Sequence, residues 1–268
     1  MPGRSLPPTT KSRKRSLRAT CRIDPYQYRP GFLPGTRPSP YRLIAPAIPV
    51  RTDDVRSVLA GLLSALVCPA QTITVDQLTH RVPPSAAREY RASQKALDTG
   101  DLGQSIAHCR KAMDSDPDNP AAHNDLGILY LSDGQMERAL IEFDREIALA
   151  PKSAAAHVNA SYTLLALGRT RDAEAAAREA VGIEPANRRA HLLLGWSIVA
   201  QFRYTKEALE SLRRAGHDFP EAHLAAADVL VHQGSLAEAR ASVEAYLDSG
   251  STEQKIVAEA WLRFLTIE

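Results

Sequence analysis

Histidine recurs along this chain at an almost constant interval. His123, His157 and His191 are 34 residues apart, and His223 follows 32 residues later. Imidazole is both a common metal ligand and a proton carrier near neutral pH. A metal site or a proton relay needs its groups within a few ångströms of one centre, whereas equivalent side chains of successive helical repeats lie about 10 Å apart. The interval therefore favours a packing role for these rings over a catalytic or metal-binding one.

Other signatures of catalysis are absent from the 268-residue sequence. There is no glycine-rich phosphate loop, no Gly-x-Ser-x-Gly elbow and no His-Glu-x-x-His pair. Asp114, Asp116 and Asp118 form an acidic group, but the glycine and the terminal glutamate of a calcium loop are missing. We therefore predict that the protein is not an enzyme, with no catalytic residue, no metal site and no cofactor.

Prolines mark the elements that carry the histidines. Pro117, Pro151, Pro185 and Pro220 are separated by 34, 34 and 35 residues, and each closes a segment with helical periodicity. An interval of this length indicates an array of helix–turn–helix repeats. One extra residue near 202–205 and a shorter connection at Pro220 are the two places where the regularity changes.

Small residues occupy two fixed positions of each repeat when Ala86, Pro120, Ala154 and Arg188 are taken as first positions. Two antiparallel helices can cross closely only where the side chains are small. The pattern therefore predicts that the two helices of each repeat touch at these positions. Position eight is Ser93, Gly127, Ser161 and Gly195, and position twenty and its equivalents are Ser105, Ala139, Ala173, Ala208 and Ala239.

These columns resemble those of the tetratricopeptide repeat (TPR) family over roughly residues 85–250. The second repeat matches best, through Leu126, Gly127, Tyr130, Gly134, Ala139, Phe143 and Pro151. The resemblance implies an all-α fold: a right-handed superhelical solenoid of five helix–turn–helix repeats over residues 85–251, plus a C-terminal capping helix over 252–268. It also implies a non-catalytic protein–protein interaction scaffold, of the kind found among exported bacterial TPR proteins.

The last segment differs from the repeats. Its apolar residues fall on one helical stripe, with charged residues outside the stripe. An array needs such a helix because its last repeat would otherwise expose an apolar face. The predicted stripe consists of Ile256, Val257, Ala260, Trp261, Phe264 and Leu265.

In the TPR family the first helix of each repeat lines the concave face, so the resemblance also implies a binding groove. Its centre is apolar here, which fits an amphipathic helix or an extended apolar peptide. Asn124, Asn159 and Arg189 are present, but the lysines of the family's carboxylate clamp are not, so that binding mode is not expected. The groove residues are Tyr90, Asn124, Ile128, Leu131, Val158, Asn159, Tyr162, Arg189, Leu192, Leu193, Trp196 and Val199.

Two function classes follow from this groove. In one, the protein is a scaffold or adaptor that binds a peptide or helix of a protein partner. In the other, it is a self-associating subunit of an envelope assembly, a homo-oligomer whose groove is covered by its own segment or by a second copy. Charge argues against nucleic acid as the partner of the repeats, because residues 57–268 carry 21 basic and 28 acidic side chains and phosphate binding needs a basic face.

The N-terminal part carries the opposite charge. Residues 1–56 contain 12 Lys and Arg against three Asp, with many prolines. We interpret residues 1–54 as a disordered basic segment. A functional basic arm for nucleic acid or an anionic membrane is one alternative. The other is that translation starts near Val55, so that these residues precede the true start.

Residues 55–70 resemble a secretory signal peptide. An apolar run at 57–67 follows Arg56 and precedes Ala70, a small residue of the kind found at cleavage sites. The run is too short for a stable membrane span, which needs ~20 residues. Cleavage would give a periplasmic or secreted protein that begins with an extended lead-in over residues 71–84. An uncleaved amphipathic or buried helix would leave the protein cytoplasmic.

Cysteine usage is compatible with export. After cleavage at Ala70 only Cys109 remains, in a column that also holds Phe143 and Ala177. We expect it to be a small buried hydrophobic residue rather than part of a disulfide or a metal site. Lipidation of Cys68 is an alternative that the preceding residues 65–67 do not favour.

Overall fold

The computed structural model describes residues 80–252 and 254–266. Within these ranges it contains eleven α-helices and no strand, which confirms the all-α array. The segments predicted at 1–54 and 55–70, and the part of the lead-in before His80, lie outside the described residues. The helices are α1 (Pro84–Asp98), α2 (Leu102–Met113), α3 (Pro120–Ser132), α4 (Met136–Leu149), α5 (Ala154–Ala166), α6 (Thr170–Ile183), α7 (Arg188–Val199), α8 (Lys206–Ala215), α9 (Glu221–His232), α10 (Leu236–Asp248) and α11 (Lys255–Leu265).

The helices form five consecutive pairs, followed by α11. Each helix packs against the next one along the chain, so the contacts are local in sequence, as in other repeat arrays. In addition, α5 contacts α7, and α7 contacts α9. First helices of the third, fourth and fifth repeats therefore lie side by side, and their side chains share one face.

Polar side chains begin several of these helices. Ser153 Oγ accepts a hydrogen bond from the backbone N–H of Ala156 at 3.3 Å, which starts α5. Asn187 Oδ1 accepts one from the backbone N–H of Ala190 at 3.0 Å, which starts α7. Each bond satisfies a donor that a helix N-terminus leaves unpaired. The caps thus fix where the first helices of the third and fourth repeats begin.

The turn inside each repeat requires a residue with left-handed backbone. Gly100, Gly134, Gly168 and Gly234 occupy this place with φ between 74 and 78°. Phe202 takes the equivalent place in the fourth repeat, with φ 58°. A residue with a Cβ pays about 1–2 kcal/mol for this conformation, so the fourth repeat stores strain that the others avoid.

The small residues at positions eight and twenty lie where paired helices touch. A Cβ added to Gly127 on α3 would lie 2.5 Å from the ring of Phe143 on α4. In the third repeat, Ser161 Oγ on α5 donates to the carbonyl oxygen of Ala173 on α6 at 2.8 Å. These contacts confirm the register deduced from the spacing of the small residues.

Three of the four periodic histidines connect each repeat to the loop before it. Nε2 of His123, His157 and His191 donates to the carbonyl oxygens of Pro117, Pro151 and Pro185, at 2.9, 3.2 and 3.0 Å. His223 instead packs against Gly216. The rings therefore have the structural role expected of them, and most of them also hydrogen-bond the backbone of the loop.

Burial is uneven along the array. Helix α1 buries only Ala86, Glu89 and Ser93, none of them a large apolar residue. Glu89 is held there by His108 Nδ1 at 2.9 Å and by Lys111 Nζ at 3.4 Å. By contrast, α7 buries nine of its 12 residues. Helix α1 is therefore held largely by polar contacts and α7 by apolar packing.

Helix α11 covers the end of the array by packing on α10. Ala258 and Trp261 are buried, as expected for Trp261. The prediction that Ile256, Val257 and Ala260 also belong to the buried stripe is wrong, since the first two are 84% and 41% exposed and Ala260 is exposed as well. At 100° per residue Ile256 and Ala260 lie on the side of the helix opposite Ala258 and Trp261, whereas Val257, one turn before Trp261, lies at the edge of the buried face.

Cys109 is 1% exposed, which confirms the expectation of a small buried hydrophobic residue. Burial raises the pKa of its thiol to about 12, so the reactive thiolate is scarce at neutral pH. Among the helices of the described ranges, none combines the length and the apolar character that crossing a membrane would require.

Candidate binding groove

The residues predicted to form the groove lie on α1, α3, α5 and α7. Solvent reaches them unequally. Tyr90, Asn124, Ile128, Arg189 and Trp196 are half-buried. Leu131, Val158, Asn159, Tyr162, Leu192, Leu193 and Val199 are buried.

One apolar row follows the groove. Ile128, Tyr162 and Trp196 occupy position nine of the second, third and fourth repeats, so the same point of three successive first helices carries a large apolar or aromatic side chain. Successive first helices are spaced by about 10 Å. The row is therefore about 20 Å long, a length that suits several residues of an extended peptide or a short helix.

A polar bridge lies beside this row. Asn159 Nδ2 on α5 donates to Asn124 Oδ1 on α3 at 2.9 Å, which joins the second and third repeats directly. Asn124 Nδ2 in turn donates to Asp125 Oδ1 at 3.3 Å. Amide side chains combine donor and acceptor groups. One hydrogen bond of this bridge can therefore be replaced by a hydrogen bond to the main chain of a bound peptide.

Arg189 supplies a cation at the start of α7. Its guanidinium carbon lies 6.0 Å from the centre of the Phe219 ring, within the range of a cation–π contact. Its Nε is buried and has no hydrogen-bond partner among the described residues. Burial lowers the pKa of Arg189, although the group stays charged at physiological pH. An acceptor on a bound chain would satisfy this donor.

The turn between α7 and α8 carries an exposed aromatic side chain that the sequence pattern did not single out. Phe202 is 82% exposed, and nearby Tyr204 stacks on His232 with ring centroids 3.6 Å apart. The signal was available in the sequence: Phe202 stands where the other repeats have glycine. The irregularity predicted near residues 202–205 is therefore a turn of different composition as well as one with an extra residue.

A charged cluster holds this turn against the preceding repeat. Glu174 on α6 accepts hydrogen bonds from Arg178 at 2.8 Å, Gln201 at 2.7 Å and Arg203 at 2.6 Å. Burial alone would raise the pKa of Glu174, but these donors outweigh it and the pKa is lowered. The carboxylate therefore stays charged and fixes the position of the strained turn.

A second unpredicted contact lies at the start of the array. Asp116 is 4% exposed, and its Oδ1 lies 2.6 Å from His80 Nε2. Its Oδ2 accepts from Asn119 Nδ2 at 2.8 Å and, more weakly, from the Tyr90 hydroxyl at 3.5 Å. The chain therefore enters the array beside Tyr90, a groove position. His80 and Asp116, which make this contact, are 36 positions apart in the sequence, so no local pattern could indicate it.

Within the described ranges, no three His, Cys, Asp or Glu side chains are arranged so that they could hold a metal ion. The geometry instead defines a class of protein: an array of paired helices whose first helices carry apolar, amide and cationic side chains, the architecture of a helical repeat solenoid.

The chain belongs to the tetratricopeptide repeat family. One tetratricopeptide repeat model matches residues 96–160, and a second matches residues 159–216 and 205–253. These ranges together cover more than half of the chain and run from the end of α1 to the residues after α10. No curated protein sequence matches the chain significantly.

Solved structures share the fold at low sequence identity. MamA from Desulfovibrio magneticus RS-1 is 19% identical with a TM-score of 0.58, covering 63% of this chain and 96% of that one. TTC0263, a thermophilic TPR protein of Thermus thermophilus, is 20% identical with a TM-score of 0.50, covering 66% and 99%. YrrB, described as a TPR protein with an unusual peptide-binding site, is 15% identical with a TM-score of 0.53, covering 61% and 85%.

Proposed function

We propose that this protein is a non-catalytic adaptor that binds a peptide or helix of a protein partner in the groove formed by α1, α3, α5 and α7. The TPR fold is in general a scaffold for protein–protein interaction, and the proposal assigns that role to one face. The observation that carries it is the Asn124–Asn159 bridge beside the apolar row of Ile128, Tyr162 and Trp196. The two amides would bind the main chain of the ligand, and the apolar row would bind side chains of the same ligand.

Two further features support this assignment. The buried Nε of Arg189, which has no hydrogen-bond partner among the described residues, offers a directional donor two helical turns before Trp196 on α7. In addition, the similar structure of YrrB is described as having a peptide-binding site. The chemistry of the groove favours a ligand with alternating apolar side chains and at least one acceptor near Arg189.

Affinity capture from the native host, read by mass spectrometry, tests the proposal. Trp196→Glu places a charge in the apolar row, whereas Ile141→Glu changes a residue of α4 that is 59% exposed and outside the groove. We expect Trp196→Glu to lose a partner that the wild type and Ile141→Glu both retain. Equal capture by all three proteins would show that the groove does not bind the partner.

A self-associating structural subunit is the second candidate. Ile256 and Val257 are exposed on α11, at the end of the array where another copy could dock. Sedimentation velocity of the purified chain separates the two candidates. A concentration-dependent oligomer that Ile256→Glu dissolves would favour the subunit, and a monomer at all concentrations would exclude it.

Export to the periplasm or medium is a further proposal, and it rests on the signal-like residues 55–70. Mass mapping of the N-terminus of the protein isolated from cells tests it. A mature chain that begins near residue 71 is expected, whereas recovery of peptides from residues 1–50 would overturn export. The groove and its proposed ligand are the same in either case, because cleavage would remove no described residue.

A further inference from the structure

We infer that the chain carries its own ligand for this groove: residues 71–79, the segment directly before His80, bind along the apolar row in cis. The inference rests on the proposed function, since it names the regulation of the same site. A protein partner would then have to displace the segment before it could bind.

The point where the chain enters the array supports this occupant. The contact of His80 with Asp116, at 2.6 Å, holds the chain beside Tyr90, which is a groove residue. Asp116 is itself fixed by Asn119, the residue that caps α3. His80, the first described residue, therefore lies next to the first helices of the first and second repeats.

The length of the segment matches the distance to be covered. Nine residues in extended conformation reach at most about 30 Å. From the start of the second repeat, the position-nine row at Ile128, Tyr162 and Trp196 extends over about 20 Å. Ile128 lies nine residues beyond the cap of α3, about 13 Å along the helix at 1.5 Å per residue, so the segment can reach Ile128 and Tyr162 without help from residues further toward the N-terminus.

The composition of the segment matches the lining of the groove. Ile73 and Val75 alternate with threonines and Asp76 in a strand-like pattern, and Leu78 falls outside this alternation. An extended chain of this type presents apolar side chains to an apolar row and leaves its main chain free to bond the amides of Asn124 and Asn159. A linked ligand also has a high effective concentration, so even weak contacts would keep it bound.

Burial on the described helices is consistent with a groove that faces protein. Val158 and Tyr162 are each 4% exposed, and Leu192 and Leu193 are 0% and 1% exposed. These fractions belong to a single copy of the chain, so the chain itself supplies the shielding. Packing between α5 and α7 accounts for part of it.

Disulfide trapping in the full-length chain tests the inference. In a background with Cys21→Ser and Cys68→Ser, one cysteine is introduced at Ile73, Val75 or Leu78 and a second at Ile128. Cysteines pair when their Cα atoms approach within about 7 Å. We expect at least one of the three pairs to form an intrachain disulfide under mild oxidation, detected as a cross-linked peptide by mass spectrometry.

A matched control uses Ile141→Cys, on the opposite helix of the same repeat and 59% exposed, in place of Ile128→Cys. We expect the yield of cross-linked peptide at Ile141→Cys to be lower than at Ile128→Cys by about tenfold or more, as the effective concentration of a linked ligand implies. We expect a similar reduction at Ile128→Cys when Asp replaces one of the other apolar residues of the segment. Equal trapping at the two positions, or none at Ile128 with any of the three partners, would overturn the inference.

The two proposals fail in different ways. If trapping fails but Trp196→Glu still loses a partner, the groove binds another chain and is not occupied in cis. If trapping succeeds but Trp196→Glu captures the same proteins as the wild type, the groove serves only the chain itself and the adaptor function is wrong.

Discussion

His123 lies between Glu142 and Pro117, with Nδ1 2.8 Å from the carboxylate and Nε2 2.9 Å from the carbonyl oxygen. Both acceptors can be satisfied at once only by the doubly protonated ring. Burial lowers the pKa of His123, but the hydrogen bonds to Glu142 and Pro117 outweigh it, so the pKa is raised overall. The ring thus favours its charged form although it belongs to the packed part of the second repeat.

His123→Phe should therefore destabilise the protein by about 1–3 kcal/mol, because two acceptors lose a donor. The raised pKa makes this loss depend on pH. The stabilisation by His123 is fully present below the ordinary histidine pKa of about 6.5 and is lost as the pH rises through the folded-state value. Urea unfolding should show a larger effect at about pH 5 than at about pH 8.5. His157→Phe, which removes the equivalent bond to Pro151, is the comparison.

Gly127→Ala tests the closest helix–helix contact. The new methyl group would lie 2.5 Å from the Phe143 ring, so α3 and α4 must separate or the ring must move. We expect a loss of about 1–3 kcal/mol in the free energy of unfolding. Gly182→Ala is the control: nothing lies within 4 Å of the added Cβ on α6, so it should gain about 0.5–1 kcal/mol from helix propensity. Equal effects would contradict the register.

Phe202→Gly should stabilise the protein despite removing a large side chain. The ring is 82% exposed and φ is 58°, so little packing is lost and the left-handed strain is relieved. The expected gain is about 1 kcal/mol, measured as a higher melting temperature. Gly168→Ala places the same strain in the third repeat and should cost a similar amount. A destabilised Phe202→Gly variant would mean that the ring has a packing role.

Glu146 gives the protein a second pH dependence. It is 5% exposed; Oε1 accepts from Ser153 Oγ at 3.2 Å and Oε2 has no partner among the described residues. Burial is the main reason that the pKa of Glu146 is raised to about 7. The folded state holds the proton more tightly than the unfolded chain, so stability present below pH ~4.5 is lost as the pH rises through about 7.

Glu146→Gln removes this titration while keeping an acceptor for Ser153. We expect the variant to be more stable than the wild type at about pH 8, by about 1–3 kcal/mol, and the difference to vanish or reverse at about pH 4.5. Chemical unfolding of both proteins over this range is the measurement. Parallel stability curves would show that the carboxyl group is not protonated in the folded protein.

The sequence predicted the features that repeat and missed those that occur once. Gly127 against Phe143 and the column of His123, His157 and His191 follow from a 34-residue period, because equivalent residues meet equivalent neighbours. The contact between His80 and Asp116 has no counterpart in the other described repeats, and it joins residues 36 apart. Such a pair depends on how the first repeat is closed, which a local pattern does not encode.

The proposed binding face was predictable in position but not in accessibility. Family register placed Tyr162 and Leu192 on the first helices, where the structure has them. Their burial, at 4% and 0%, depends on what packs against α5 and α7. Period and side-chain type determine which way a residue points relative to its own repeat, whereas exposure is a property of the whole chain.

The contrast between α1 and α7 has a consequence for local unfolding. Helix α1 buries no large apolar side chain, and its buried Glu89 depends on contacts with His108 and Lys111. In a solenoid each repeat is stabilised only by itself and its neighbours, so the first repeat can open while α7 and the helices around it stay folded. Its backbone amides should exchange with solvent well before those of α7. Because residues 71–79 are joined to α1, their position would be coupled to the least stable unit of the array.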